Sequence, residues 1–291
     1  MLIIKVGGGT DINITGIVND LAALDDPFIV VLGANALRDS IGERLSMTKQ
    51  ELTSLSGYTS VYSDEQAIDL IMMTYAGLRN RRFVELCQRQ GINAIGLSGL
   101  DGRLIQGERN RGIRVREGKK TILKRDFSGK PRSANTALLE LLLKHEYRPV
   151  ISMPIIDEQG HAINSENDDI VNILQKGIKA TRILQLIEAP GFLDNRKDPT
   201  SVVPQMTQAE LVQREQQVDG RMKRKLLALR TLFTTGAAEV VISTGRVKHP
   251  VQDARSAGGT IIGLWEEITK NANFSAPLPV FYTLLRSHET L

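Results

Sequence analysis

A lysine at the end of an apolar run, followed at once by glycines, is a pattern suited to holding an anion. The run is Leu2-Ile3-Ile4-Lys5-Val6, and Gly7-Gly8-Gly9 follows it. Glycines without Cβ atoms let backbone N–H groups approach an anion closely and point at it. Lys5 then stands beside that cradle as a fixed positive charge. Gly33 closes a second apolar run, and Lys225 lies at the start of a later helix, whose amino end also favours anions. Asp168 is placed to hold the two lysines apart through charge-assisted bonds. No serine–histidine or cysteine–histidine relay is visible in the sequence. The chemistry these residues suit is phosphoryl transfer by positioning and charge neutralisation. The Gly-Lys-Ser/Thr signature of a Walker loop is missing. Taken alone, the first nine residues fit equally well a tight turn after an edge strand whose lysine reaches solvent.

The elements that must position these residues follow from apolar periodicity. Residues 2–6 and Phe28–Leu32 read as buried strands, with a helix over Ile12–Leu24 between them. Strand–helix–strand with glycine at each strand end predicts an α/β fold with a mainly parallel sheet, whose ligands bind outside the carboxyl ends of the strands. Arg38–Ser63 is polar and carries no clear assignment. Asp64 caps a long helix from Glu65 to about Gln90. Asn93–Leu97, Arg148–Met153, Arg182–Ile187, Glu239–Ser243 and Thr260–Ile262 read as strands. Helices are expected at Asn135–His145, after Asp168 to near Gly177, after the N-cap Thr207, and from Gly220 through Phe233.

The 291 residues are 41% hydrophobic, enough for a large core, and no apolar run approaches the ~20 residues of a membrane span. The N-terminal run is too short for a signal peptide. A single cysteine, Cys87, excludes an intramolecular disulfide and suits a reducing cytoplasm. It falls inside a predicted helix and reads as core. The four histidines, at 145, 161, 249 and 288, show no metal-ligand spacing, so no protein-held metal is expected. The net charge of +4 is uneven: residues 103–132 hold eleven Lys/Arg against three Asp/Glu, leaving the rest of the chain acidic by four. Short strands are expected there at Arg103–Gln106, Ile113–Val115 and Thr121–Leu123, turning at Glu117-Gly118-Lys119. Charge concentrated this way suits an acidic partner. Without an aromatic platform or a known signature it does not suit nucleic acid.

The chain resembles the amino acid kinase family. The resemblance rests on Ile4–Gly8 (IKVGG), Gly77–Val84 (GLRNRRFV), Asn93–Gly102 (NAIGLSGLDG), Ala162-Ile163-Asn164, Asp168-Asp169-Ile170, Pro190-Gly191, Gly220–Lys225 (GRMKRK) and Gly245-Arg246-Val247. These run in family order over roughly residues 1–263. Within the family the chain looks most like the acetylglutamate-kinase-like branch that phosphorylates 2-aminoadipate or glutamate attached to an amino-group carrier protein.

The resemblance implies a three-layer αβα sandwich of the carbamate kinase-like kind. It implies an acyl-substrate and dimerisation lobe over residues 1–165, a nucleotide lobe over 166–265 and a tail from 266 to 291. ATP is the implied phosphoryl donor, with Mg2+ riding on its phosphates. Lys5 and Lys225 would stabilise the transferring group, Gly7, Gly8 and Gly33 would donate backbone bonds to it, and Asp168 would organise the lysines. Asn164, with positions 34 and 61, would hold the substrate. Arg109, Arg111, Arg114, Arg116, Lys119 and Lys120 would dock an acidic carrier protein, and the enzyme would be a cytoplasmic homodimer. Four departures stand out. Ala34 replaces the second glycine of the family's His-Gly-Gly, which is expected to put a methyl where backbone should approach phosphate. Val61 replaces the arginine that grips the substrate carboxylate. Ile187-Glu188 replaces a Ser/Thr-Asp/Asn pair, and Asp169–Asn172 replaces a small-rich run. These leave two other readings: a kinase of N-acetylglutamate or another small acid, and a non-catalytic regulatory paralogue.

Overall fold

The computed structural model describes residues 1–263, apart from 48–49, 54, 56–58, 119, 196, 219, 238 and 257. The tail from 266, Lys119 and the side chain of Val61 therefore lie outside the described residues.

In chain order, β1 (Leu2–Val6) leads to α1 (Ile14–Ala22), whose first turn is capped by Asn13 accepting from the Gly16 N–H. Then come β2 (Phe28–Leu32), α2 (Asn35–Arg44) and a hairpin of β3 (Glu51–Thr53) with β4 (Thr59–Val61). So the stretch with no sequence assignment is a polar helix followed by a small hairpin. The long helix begins on Asp64, whose carboxylate accepts from the Ala67 N–H at 2.9 Å. It is one continuous run of three kinds: α3 (Glu65–Ile71), a wide π-helical segment (Met72–Arg79) and α4 (Asn80–Arg89). Strand β5 (Ala94–Ser98) follows.

In the basic region, Arg103 belongs to a tight turn rather than a strand, and the strands are β6 (Ile105–Arg109), β7 (Ile113–Glu117), β8 (Lys120–Lys124) and β9 (Gly129–Ala134). The expectation missed β9 because Lys130, Pro131 and Arg132 do not read as a strand. The structure places it at a sheet edge, where proline is tolerated. The chain continues through α5 (Thr136–Lys144), β10 (Arg148–Ser152), β11 (Ile155–Ile156), β12 (Ala162–Ile163), α6 (Asn167–Ile178) and β13 (Arg182–Ile187). It closes with β14 (Gln205–Thr207), α7 (Gln208–Gln216), α8 (Gly220–Thr234), β15 (Glu239–Thr244), α9 (Pro250–Arg255) and β16 (Thr260–Gly263). Thr207 and Glu210 complete a capping box at the start of α7.

Eight strands form one sheet in the order β14-β16-β15-β13-β1-β2-β10-β5, parallel except where β15 meets β16. β1 sits at its centre, with Lys5 in register between Val31 and Gln185. Alternation along β1 sends its side chains to two separate apolar layers. Ile3 packs with residues of α3, α5, α6 and α8, whereas Leu2, Ile4 and Val6 pack with α1, α4 and α9. Helices thus cover both faces, giving the three-layer αβα sandwich. Cys87 is fully buried in the second layer, and burial pushes its thiol up to about 12. A smaller sheet, β12-β11-β6-β9, and the two-stranded β7–β8 hairpin, which Leu55 N–H joins through Arg114 O at 2.9 Å, stand apart from the main sheet.

Candidate active site at the carboxyl edge of the sheet

Because β1, β2, β13 and β15 are parallel neighbours, their carboxyl ends open on one edge. Backbone bonds lock the turns there. Gly33 N–H donates to Val6 O at 2.8 Å, Ala36 N–H to Gly8 O at 2.9 Å, and Gly7 N–H to Leu186 O at 2.8 Å. A methyl on Gly8 would lie 2.5 Å from the Asn35 nitrogen and 2.6 Å from that of Ala34. These contacts are backbone and cannot swing away, so glycine is required at position 8. The first glycine turn and the Gly33–Asn35 turn therefore form one cradle.

Lys5 lies on the face of β1 shared with Ile3. Its ammonium forms an ion pair with the Asp168 carboxylate at the start of α6, with both side chains largely shielded. The expected Lys5–Asp168 contact is present. Asp168 and Asp169 occupy the first turn of α6, where the helix dipole favours negative charge. Asn167 donates to Leu32 O at 3.3 Å, fixing that turn against the end of β2.

Other expected residues stand differently. Lys225 is exposed in the first half of α8 and makes no ion pair among the described residues. Its neighbour Arg224 adds positive charge felt by Glu166, together with Lys5, and by Asp169, together with Lys130. The Asp169 carboxyl is raised above its ordinary range, first by desolvation; Lys130 and Arg224 oppose that rise and Asp168 adds to it. Glu166 is raised too, by desolvation and then by the charges of Asp168 and Asp169. Glu166 needed the fold to become visible in this group, since Asp168 and Asp169 lay in a sequence motif and Glu166 did not.

Ala34 is corrected outright. Its side chain is fully buried in the first apolar layer, so the methyl points into the core rather than to a phosphate. Only its backbone belongs to the cradle. Asn164 donates from Nδ2 to Ser63 Oγ at 3.0 Å. Phe127 N–H donates to Ser63 O, and Asn164 N–H to Phe127 O, both at 2.7 Å. The expected substrate asparagine and the end of the basic segment thus meet at Ser63. Glu188 lays its carboxylate over the first glycine turn, where a Cβ on Gly9 would collide with it.

The basic segment divides. Arg109 is held in place: its Nε donates to Asp126 O at 2.7 Å and its guanidinium lies 3.9 Å from the Phe127 ring centre. Arg111, Arg114, Arg116 and Lys120 are exposed, and Val115, between two of them, is buried.

Among the described residues, no group of three or more His, Cys, Asp or Glu is placed to hold a metal ion. None of their helices is long and apolar enough to cross a membrane.

The model of the amino acid kinase family matches residues 1–243, and the chain belongs to that family. It is 34% identical over 268 residues to the [LysW]-aminoadipate kinase of Thermus thermophilus, covering 90% of this chain and 100% of that one. It is 30% identical over 245 residues to the acetylglutamate kinase of Methanopyrus kandleri, covering 84% and 94%. The carbamate kinase of Giardia lamblia superposes with a TM-score of 0.63 at 11% identity, covering 90% of this chain and 97% of that one. The last comparison bears on the fold, which is the carbamate kinase-like sandwich.

Proposed function

We propose that this amino acid kinase moves the γ-phosphoryl group of ATP to the side-chain carboxylate of 2-aminoadipate or glutamate carried on an amino-group carrier protein. The observation that carries this reading is the Lys5–Asp168 pair beside the Gly8–Gly33 cradle, at the carboxyl edge of the sheet. Likeness to a [LysW]-aminoadipate kinase over 90% of the chain supports the carried substrate. So do the exposed Arg111, Arg114, Arg116 and Lys120 around the hairpin, which suit an acidic carrier.

The chemistry follows from the residues in place. A carboxylate is already ionised at neutral pH, with a reference pKa of about 4, so no general base is required. One of its oxygens attacks the γ-phosphorus in line. The bond to the β,γ-bridging oxygen breaks, leaving ADP and an acyl phosphate. Lys5 and Lys225 would balance the negative charge on the transferring oxygens, with Asp168 holding Lys5 in place. The glycine turns would offer N–H donors to the same oxygens. The cradle's lack of side chains suits a polyphosphate, and magnesium bound to ATP would neutralise part of its charge. Asn164 would help hold the acyl substrate. The chain up to about residue 165 would hold that substrate and dimerise, and residues 166–265 would hold ATP. The enzyme would act in the cytoplasm as a homodimer.

The test is ADP release from MgATP with hydroxylamine present to trap acyl phosphate. Carrier-linked aminoadipate or glutamate is compared with free N-acetylglutamate. Trapped product with the carried acid alone is the expected result. Product with the free acid instead would replace the proposed substrate, and no product from either would overturn the reading.

A further inference from the structure

The π-helical segment brings two side chains against the second turn of the cradle. Arg79 donates from Nε to the carbonyl oxygen of Gly33 at 3.2 Å. Tyr75, fully buried one helical turn earlier, donates its hydroxyl to Asn35 Oδ1. One helix therefore holds the Gly33 carbonyl and the Asn35 side chain, on either side of Ala34. A trans peptide is planar, so holding the Gly33 oxygen also limits where the Ala34 N–H can point.

Arg79 is unusual in a second respect. Its guanidinium is partly buried, and no carboxylate pairs with it among the described residues. Desolvation accordingly lowers its pKa, although an arginine stays protonated. Burying a cation without a counter-ion is costly, so packing alone gives no reason for an arginine here. The Tyr75 hydroxyl is pushed up to about 12, chiefly by burial, and so keeps its proton as a donor. Wide helical turns of this kind recur at functional sites.

We propose that Tyr75 and Arg79 are positioning residues for the phosphoryl cradle. They set the Gly33–Ala34 peptide against Gly8, and Arg79 adds an uncompensated positive charge behind it. Neither touches the reacting atoms. The inference rests on the kinase reading above for what occupies the cradle, but its test does not need the acyl acceptor.

The experiment measures the affinities of AMP-PNP and ADP, each with magnesium, for wild type, Y75F, R79K, R79Q and R79M. The ratio of the two reports contact with the third phosphate. In R79M the preference for AMP-PNP should fall about tenfold, the scale of one charge-assisted bond. R79K, which keeps a charge and a donor, should recover more of it than the neutral donor R79Q, and Y75F should lose part of it. Melting temperatures of all variants separate this from general loss of structure. An unchanged ratio in R79M and Y75F, with or without a fall in melting temperature, overturns the proposal, as does a wild-type ratio near one. In turnover assays, the KM for ATP should rise in R79M along with its loss of AMP-PNP preference. If the carried acid is not phosphorylated by wild type while the ratios respond as described, the substrate reading fails and the positioning role stands.

Discussion

Gly8 and Gly33 are packed backbone against backbone. A methyl on Gly33 would lie 2.6 Å from the Gly8 nitrogen, and one on Gly8 would lie 2.9 Å from the Gly33 carbonyl carbon. Each glycine forms one wall of the other's turn, so the two strand ends make a single cradle. The Gly8→Ala enzyme should lose both stability and turnover. Its melting temperature should fall by several degrees, consistent with a backbone displacement costing about 1–3 kcal/mol. Ala34→Gly should behave oppositely. It leaves the cradle's chemistry intact and removes a buried methyl, so stability drops by about 1 kcal/mol while the KM for ATP holds. Equal kcat losses in the two variants would show that the methyl of Ala34 does face the phosphates.

Lys5 and Lys225 should be separable although both are assigned to charge stabilisation. Lys5→Ala and Lys225→Ala should each lower kcat by roughly 10²–10³-fold, the range for losing one transition-state donor. Lys5 is shielded and paired with Asp168, so its loss strands a carboxylate and should also lower the melting temperature. Lys225 is exposed, and its loss should leave stability within about 0.5 kcal/mol of wild type. Near-normal turnover in Lys5→Ala would remove the central assignment.

Much of this site was legible in the sequence because its parts are local. β1, β2 and β13 are short apolar runs ended by turns, and the Lys5–Asp168 pair follows once β1 and the start of α6 share an edge. What was not legible depends on distant neighbours. Periodicity reads the run from Glu65 to Gln90 as one helix, since a π segment keeps the apolar stripe and changes only the turn width. Tyr75 and Arg79 look like a core aromatic and a surface cation until the turn at Gly33 is placed against them. Ala34 looked like an intrusion on the cradle because sequence cannot tell which side of a turn a methyl takes. Arg109 joined the docking arginines by charge alone, and only the Phe127 ring shows it to be held in place.

That division of the basic segment gives a test in two parts. Arg114→Glu with Arg116→Glu reverses two exposed charges on the hairpin and should raise the KM for the carrier-linked substrate at least tenfold. The salt dependence of KM should flatten, while the KM for ATP is unmoved. Arg109→Ala should instead lower the melting temperature through loss of the cation–π contact and the bond to Asp126 O, worth about 1–2 kcal/mol together. If reversing Arg114 and Arg116 leaves the carrier KM unchanged, the hairpin is not the docking surface.

Asp169 provides a test in pH. Its carboxyl is raised in the folded protein chiefly by desolvation, facing Asp168 on its own helix, Lys130 from β9 and Arg224 from α8. Between the ordinary aspartate range and this raised value, the folded state binds the proton more tightly than the unfolded state. The stability Asp169 contributes is therefore complete below the ordinary range and is lost as pH rises through the folded value. Asp169→Asn keeps the shape and removes the titration. Melting temperatures of the two proteins should lie closest at about pH 4 and separate as pH rises, with Asp169→Asn the more stable at about pH 7.5. Curves that stay parallel, or a variant that is the weaker at neutral pH, would show that the attraction of Lys130 and Arg224 outweighs desolvation. Asp169 would then stabilise the folded chain as a charged partner of those two cations.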